Sequence, residues 1–171
     1  YPDKPPLLFW LAGLGGRLGG WPELWLRLPS LVAAAGTAWL IAVLARRWWG
    51  PREAAWAPAL FLGMALVTEI GGRLQIDPLL TLLCTLAIVL VSRPGAEDGR
   101  GRDLAMAGFA AGLAALAKGP VAWLNIAVPL VSWRLLVPGA IPRARRRDWV
   151  VAALLAIAPV LAKDYGDIDK V

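Results

Sequence analysis

Six ionisable side chains stand apart from the arginine clusters that carry most of this sequence's charge: Asp3, Lys4, Glu69, Arg73, Asp77 and Lys118. Asp3 and Lys4 sit in "YPDKPPLLFW", directly before two prolines and an apolar run. Pro5 biases the residue before it toward an extended backbone, which keeps the two charges out of a helix and on a stiff turn. Two readings of that turn stay open: a solvated helix entry with Lys4 anchored among lipid headgroups, or a fixed cation that receives an anionic ligand at a membrane surface. Arg73 and Asp77 are four apart, so on a helix they share a face and can pair. Asp77-Pro78 also has the form of an N-cap followed by a first-turn proline. Lys118-Gly119-Pro120 has the form of a helix C-terminus, with a cation at the negative end of the dipole. Glu23 and Arg27 repeat the spacing of a structural pair. With no histidine and a single cysteine, Cys84, the sequence excludes histidine acid–base chemistry, disulfides and cysteine metal clusters.

The elements that would position these residues are apolar. Hydrophobic residues make up 58% of the chain, with ten tryptophans against two tyrosines. Runs such as "LPSLVAAAGTAWLIAVLA", "AAWAPALFLGMALV" and "PLLTLLCTLAIVLV" approach the ~20 residues that cross a bilayer core and lack the polar face of a soluble helix. The expectation is an all-α, polytopic transmembrane bundle of about five to six spans. The formal net charge of +6 is concentrated in the short loops "ARRWWGPRE", "SRPGAEDGRGRD" and "RARRRDW". That distribution fits cytoplasmic loops and argues against a nucleic-acid groove. Spans are expected around 28–45, 54–70, 78–92, 104–117, 121–137 and 149–162, the first entering the cytoplasm. The six ionisable residues then gather on the extracytoplasmic side. Three divisions follow: residues 1–27 as an extracytoplasmic interfacial segment, 28–162 as the transmembrane domain and 163–171 as a polar tail. Between Leu7 and Leu24 the Gly- and Trp-rich stretch reads as an amphipathic piece lying in the interface, with Trp10 and Trp21 at headgroup depth. The start at Tyr1 without an initiator Met is expected to reflect a truncation, and "KDYGDIDKV" to be either a true exposed end or the mark of a cut last helix.

Four segments, "YPDKPPLLFWL", "ELWLRLPSLVAAAGTAWL", "RLQIDPLLTLLCTLAI" and "GLAALAKGP", resemble in order and spacing the bacterial family of dolichyl-phosphate-mannose-protein mannosyltransferase-like enzymes, which includes the aminoarabinose transferases that modify lipid A. The resemblance runs to about Ala162. It implies the GT-C glycosyltransferase fold, a location in the bacterial inner membrane and a polyprenyl-phosphate sugar as donor, with lipid A, protein or glycan as acceptor. By the resemblance Lys4 holds the lipid phosphate, Asp77 contacts the sugar, and Arg73 and Lys118 line the same cavity, with Tyr1 among the substrate-binding residues. Asp3 stands where the family has Glu, and the resemblance implies that it binds a divalent cation or orients Lys4. The family's catalytic carboxylate lies upstream of "YPDKPP", after a span this chain lacks, so no catalytic residue is expected within it. The family's C-terminal half is absent as well, and the chain is expected to be an inactive fragment of a longer transferase.

A transporter or structural membrane subunit is the rival class. Transporters place ionisable groups mid-span and break helices there. These runs keep their charges at the ends, which favours an interfacial enzyme.

Overall fold

The computed structural model describes residues 22–64, 76–93, 97–137 and 144–168. Among them the regular structure is α-helical: α1 (Pro22–Trp48), α2 (Pro51–Gly63), α3 (Ile76–Val91), α4 (Glu97–Lys118), α5 (Val121–Leu136) and α6 (Arg146–Ile168). The all-α class expected from the sequence is therefore observed. The chain forms two compact units, residues 1–85 and 86–171.

In the first unit α1 packs against α2. Its buried side chains Ser30, Ala33, Thr37 and Leu40 recur at helical spacing and form one stripe. The Thr37 hydroxyl donates to the Ala33 carbonyl at 2.8 Å, which satisfies it within the helix. Leu31, Val32 and Trp39 face outward from the same helix. Leu40 apart, α1 thus buries small side chains, two of them hydroxyls, and turns large apolar ones outward, unlike a helix in water. α2 carries no buried residue.

In the second unit α4 packs against both α5 and α6. Ala107, Ala110, Ala111, Ala114, Ala115 and Ala117 are all buried on α4. Gly108 and Gly112 bring it still closer to α6. A Cβ on Gly108 would collide with the Ala152 carbonyl, and one on Gly112 would lie 2.8 Å from the Leu155 oxygen and the Pro159 ring. Only a residue without a side chain permits that approach. The outer surfaces of α5 and α6 are again apolar, with Leu124, Val128, Val131 and Leu135 on one and Val150, Leu154, Ile157 and Leu161 on the other.

Helix boundaries depart from the expected spans where local chemistry overrides apolar content. One described segment, Arg27–Trp48, is long and apolar enough to cross a membrane by length and composition, while Asp77–Val91 and Val121–Leu136 are shorter apolar helices. Residues 65–70 of the second expected span, about 54–70, lie outside the described residues, and its described helix is α2, Pro51–Gly63. At ~1.5 Å per residue that reaches about 20 Å of the ~30 Å core. The helix stops beyond Gly63, where Met64 turns extended. Hydropathy gives that glycine no weight, although glycine is a poor helix former. α4 begins at Glu97, well before the expected 104, so all of "EDGRGRD" is helix rather than loop. α6 runs on to Ile168, which makes residues 163–168 of the polar tail helical. Pro22, expected in the interfacial piece, opens α1 at a position where its missing N–H costs nothing. Cys84 is buried, as a small apolar residue would be.

Candidate functional site

Of the residues assigned to the site from sequence, Tyr1, Asp3, Lys4 and Arg73 lie outside the described residues, as does Glu69. Asp77 and Lys118 are described, one in each compact unit.

Asp77 occupies the first turn of α3, which begins at Ile76. It is therefore inside the helix rather than capping it, although helix ends shift by a residue with definition. Its side chain is half-buried. Thr81 donates its hydroxyl to the Asp77 backbone carbonyl at 2.8 Å, tying the first turn to the second. A carboxylate here meets the positive end of the α3 dipole, and Pro78 lacks an N–H that the first turn would leave unused.

Lys118 is the last residue of α4 and is exposed. Gly119 follows in the left-handed region, at φ 77°, and its N–H donates to the Ala115 carbonyl at 2.6 Å. The chain then turns directly into α5 through Ala122 N–H to Gly119 O at 3.1 Å and Trp123 N–H to Pro120 O at 3.0 Å. "KGP" thus makes a sharp helix–helix corner with a lysine at the negative end of α4, the helix C-terminus read from the sequence. One group at this corner was not foreseen. The indole Nε1 of Trp123 is buried and has no acceptor among the described residues. A buried donor left unmet costs about 1–3 kcal/mol. In the sequence Trp123 is one tryptophan among ten, with nothing to mark it.

At the other end of α4, Arg100 is 2% exposed. Its Nη1 donates to the Arg93 carbonyl at 2.9 Å and its Nη2 to the Val91 carbonyl at 2.6 Å, so one guanidinium closes the C-terminal end of α3. Arg93 in turn pairs with Asp103 at 3.4 Å. Burial pulls the Arg100 pKa down and Asp103 opposes it, yet an arginine stays charged in a protein. Read from composition alone, every arginine of this loop has the same role as a topology determinant. The structure singles out one as an internal tie. Its type and position in "GRGRD" carry no signal that would separate it from Arg102.

No group of three or more Asp, Glu, Cys or His side chains among the described residues could hold a metal, and Asp3, where a divalent cation was expected, lies outside them. The described residues therefore offer no donor set that fits the implied ion.

A family profile described as dolichyl-phosphate-mannose-protein mannosyltransferase matches residues 3–163. An undecaprenyl phosphate-alpha-4-amino-4-deoxy-L-arabinose arabinosyl transferase of Pseudomonas fluorescens is 30% identical over 99% of this chain and 31% of its own length. The enzyme of that name from Pseudomonas aeruginosa is 30% identical over 93% of the chain and 30% of its own length. In Serratia proteamaculans the corresponding figures are 29%, 92% and 28%. The chain thus spans about three-tenths of the length of these curated relatives. No solved structure matches it. With nearly its whole length covered by the profile, an all-α architecture and the "DKPP" and "KGP" segments inside the matched region, the chain belongs to the dolichyl-phosphate-mannose-protein mannosyltransferase family.

Proposed function

We propose that this chain is part of a multi-pass membrane glycosyltransferase that moves a sugar from a polyprenyl-phosphate donor to an acceptor on the extracytoplasmic side of the bacterial inner membrane. The observation that carries the reading is the family match over residues 3–163, which includes the "DKPP" and "AKGP" segments with Lys4 and Lys118. Relatives named for an undecaprenyl-phosphate sugar support the donor class. The inside-out packing of α1, with Ser30 and Thr37 buried and Trp39 and Val32 outward, supports a lipid environment.

In the proposed reaction the acceptor hydroxyl attacks the anomeric carbon of the donor. The bond from that carbon to the lipid phosphate breaks, and the phosphate leaves with its electron pair. A carboxylate outside this chain takes the hydroxyl proton. Lys4, next to Pro5 in the sequence, neutralises the charge that grows on the phosphate oxygens, with Arg73 and Lys118 in support. Asp77 contacts the sugar from the start of α3, and Tyr1 borders the donor. Asp3 orients Lys4 or holds a divalent cation. Lipid A, protein or a glycan serves as the acceptor.

Lys4→Met in the full-length enzyme tests the central role. Loss of a charge-assisted hydrogen bond to phosphate removes roughly 1.5–3 kcal/mol, and transfer should fall by at least ten-fold while the protein still inserts. Lys4→Arg should keep partial activity, because the charge survives in a bulkier planar group. Near-normal turnover of Lys4→Met in a lipid-linked sugar assay would refute the phosphate role. Activity lost on chelation and restored by a divalent cation would assign Asp3 to the metal rather than to Lys4.

A further inference from the structure

The turn between α1 and α2 carries no part of the proposed reaction, yet its composition and geometry are specific. Arg46, Arg47, Trp48 and Trp49 follow one another at the end of α1, and all four are exposed. Trp49 is 67% exposed and Trp48 41%, and their rings meet edge to face at 5.4 Å between centroids. Two large aromatic side chains in water at the end of a helix would waste apolar area. At the boundary between headgroups and acyl chains they are placed as interfacial tryptophans are. Arg52 is exposed one residue into α2, and Glu53 is the one carboxylate between residues 46 and 53. α1 is also the described helix that qualifies to cross a membrane, and it ends at Trp48. The turn is therefore basic, aromatic and set at one end of a span.

Its shape is fixed by the backbone. Trp49 and Gly50 both donate their N–H groups to the Ala45 carbonyl, at 2.9 and 3.1 Å. Gly50 adopts φ 121° and ψ −174°, a region that is essentially reserved for glycine. Pro51 then starts α2 at once, and Ala54 N–H closes back on the Gly50 carbonyl at 3.2 Å. The reversal holds the arginines at the end of α1 and Arg52 at the start of α2 on one short connection. Several guanidinium forks on a rigid turn suit the oxygens of a phosphate, and the tryptophans suit the glycerol and first acyl carbons beneath it.

We infer that residues 46–52 form a binding site for the headgroup of an anionic phospholipid in the surrounding bilayer. The inference rests on the membrane-embedded reading of α1 and is independent of glycosyl transfer.

Two measurements test it. The purified chain is first reconstituted and floated with vesicles of pure phosphatidylcholine. A chain that does not float refutes the membrane reading itself. Native mass spectrometry in detergent then compares retention of phosphatidylglycerol and phosphatidylcholine with matched acyl chains. The expected result is preferential retention of phosphatidylglycerol, weakened about five-fold by each of Arg46→Gln and Arg52→Gln. Arg46→Lys, which keeps the charge and spares the fold, should lose less. Trp49→Ala should weaken both lipids alike. Gly50→Ala should reduce phosphatidylglycerol retention with every charge intact, which mere attraction of a basic loop for an anionic surface would not produce. Equal retention of the two lipids by the unaltered chain overturns the site. An effect of Arg146→Gln as large as that of Arg46→Gln also overturns it, by reducing the turn to one basic loop among several.

Discussion

Arg100 and Trp123 sit near opposite ends of α4 and differ in how far their buried donors are met. Arg100 supplies donors to the Val91 and Arg93 carbonyls, which a shortened side chain would leave buried and unmet. Arg100→Met should therefore lower stability by about 2–3 kcal/mol, read as a drop in thermal midpoint in detergent. Arg100→Lys should recover less than half of that, since one ammonium cannot match a planar fork across two carbonyls. Trp123 offers a buried donor, its indole Nε1, with no described acceptor. Replacing it with benzothienylalanine, which keeps the bicyclic shape and lacks the N–H, should leave the unliganded protein as stable or more stable. A clear fall would mean that an acceptor meets the indole. Neither residue could be found from the sequence. The positions of Asp77 at a helix start and Lys118 at a helix end could, because proline, glycine and charge mark helix ends locally, although Asp77 lies in the first turn rather than at the cap.

Among the elements, the spans with the longest apolar runs were legible. The cores of α1, α3 and α5 fall where hydropathy puts them. The ends were less so, and for nameable reasons. α2 stops at Gly63, inside a run whose apolar content continues, because helix propensity rather than hydropathy governs that residue. α4 starts within a charged segment because Arg100 and Asp103 find partners on the turn that follows α3. Helix pairing was not legible at all, since it depends on which small residues face one another. Gly108→Leu should separate α4 from α6, because the added side chain has nowhere to go but into the Ala152 backbone. A lower thermal midpoint in detergent would report it; Gly99→Leu, where a Cβ meets nothing within 4 Å, is the control and should not lower the midpoint.

For the molecule as a whole, family and all-α class could be read from motif order and apolar content. Four expected members of the site, Tyr1, Asp3, Lys4 and Arg73, lie outside the described residues. Orientation in the membrane is open to direct measurement. With Cys84 replaced by alanine, single cysteines at positions 96 and 144 should resist an impermeant thiol reagent in intact cells and react after permeabilisation. Labelling in intact cells would reverse the topology and move every proposed site residue to the other face.

The close seam between α4 and α6 has a consequence for synthesis. α5 lies between them in the chain, so Gly108 leaves the ribosome roughly forty residues before the Ala152 backbone that covers it, a wait of about 2–9 s at ordinary elongation rates. During that interval the glycine face of α4 is bare and open to any other helix in the insertion machinery. Substitutions along the seam should therefore show first as lower yield of inserted protein, before any loss of stability in the molecules that complete assembly. Slowing translation downstream of α5 should deepen the defect.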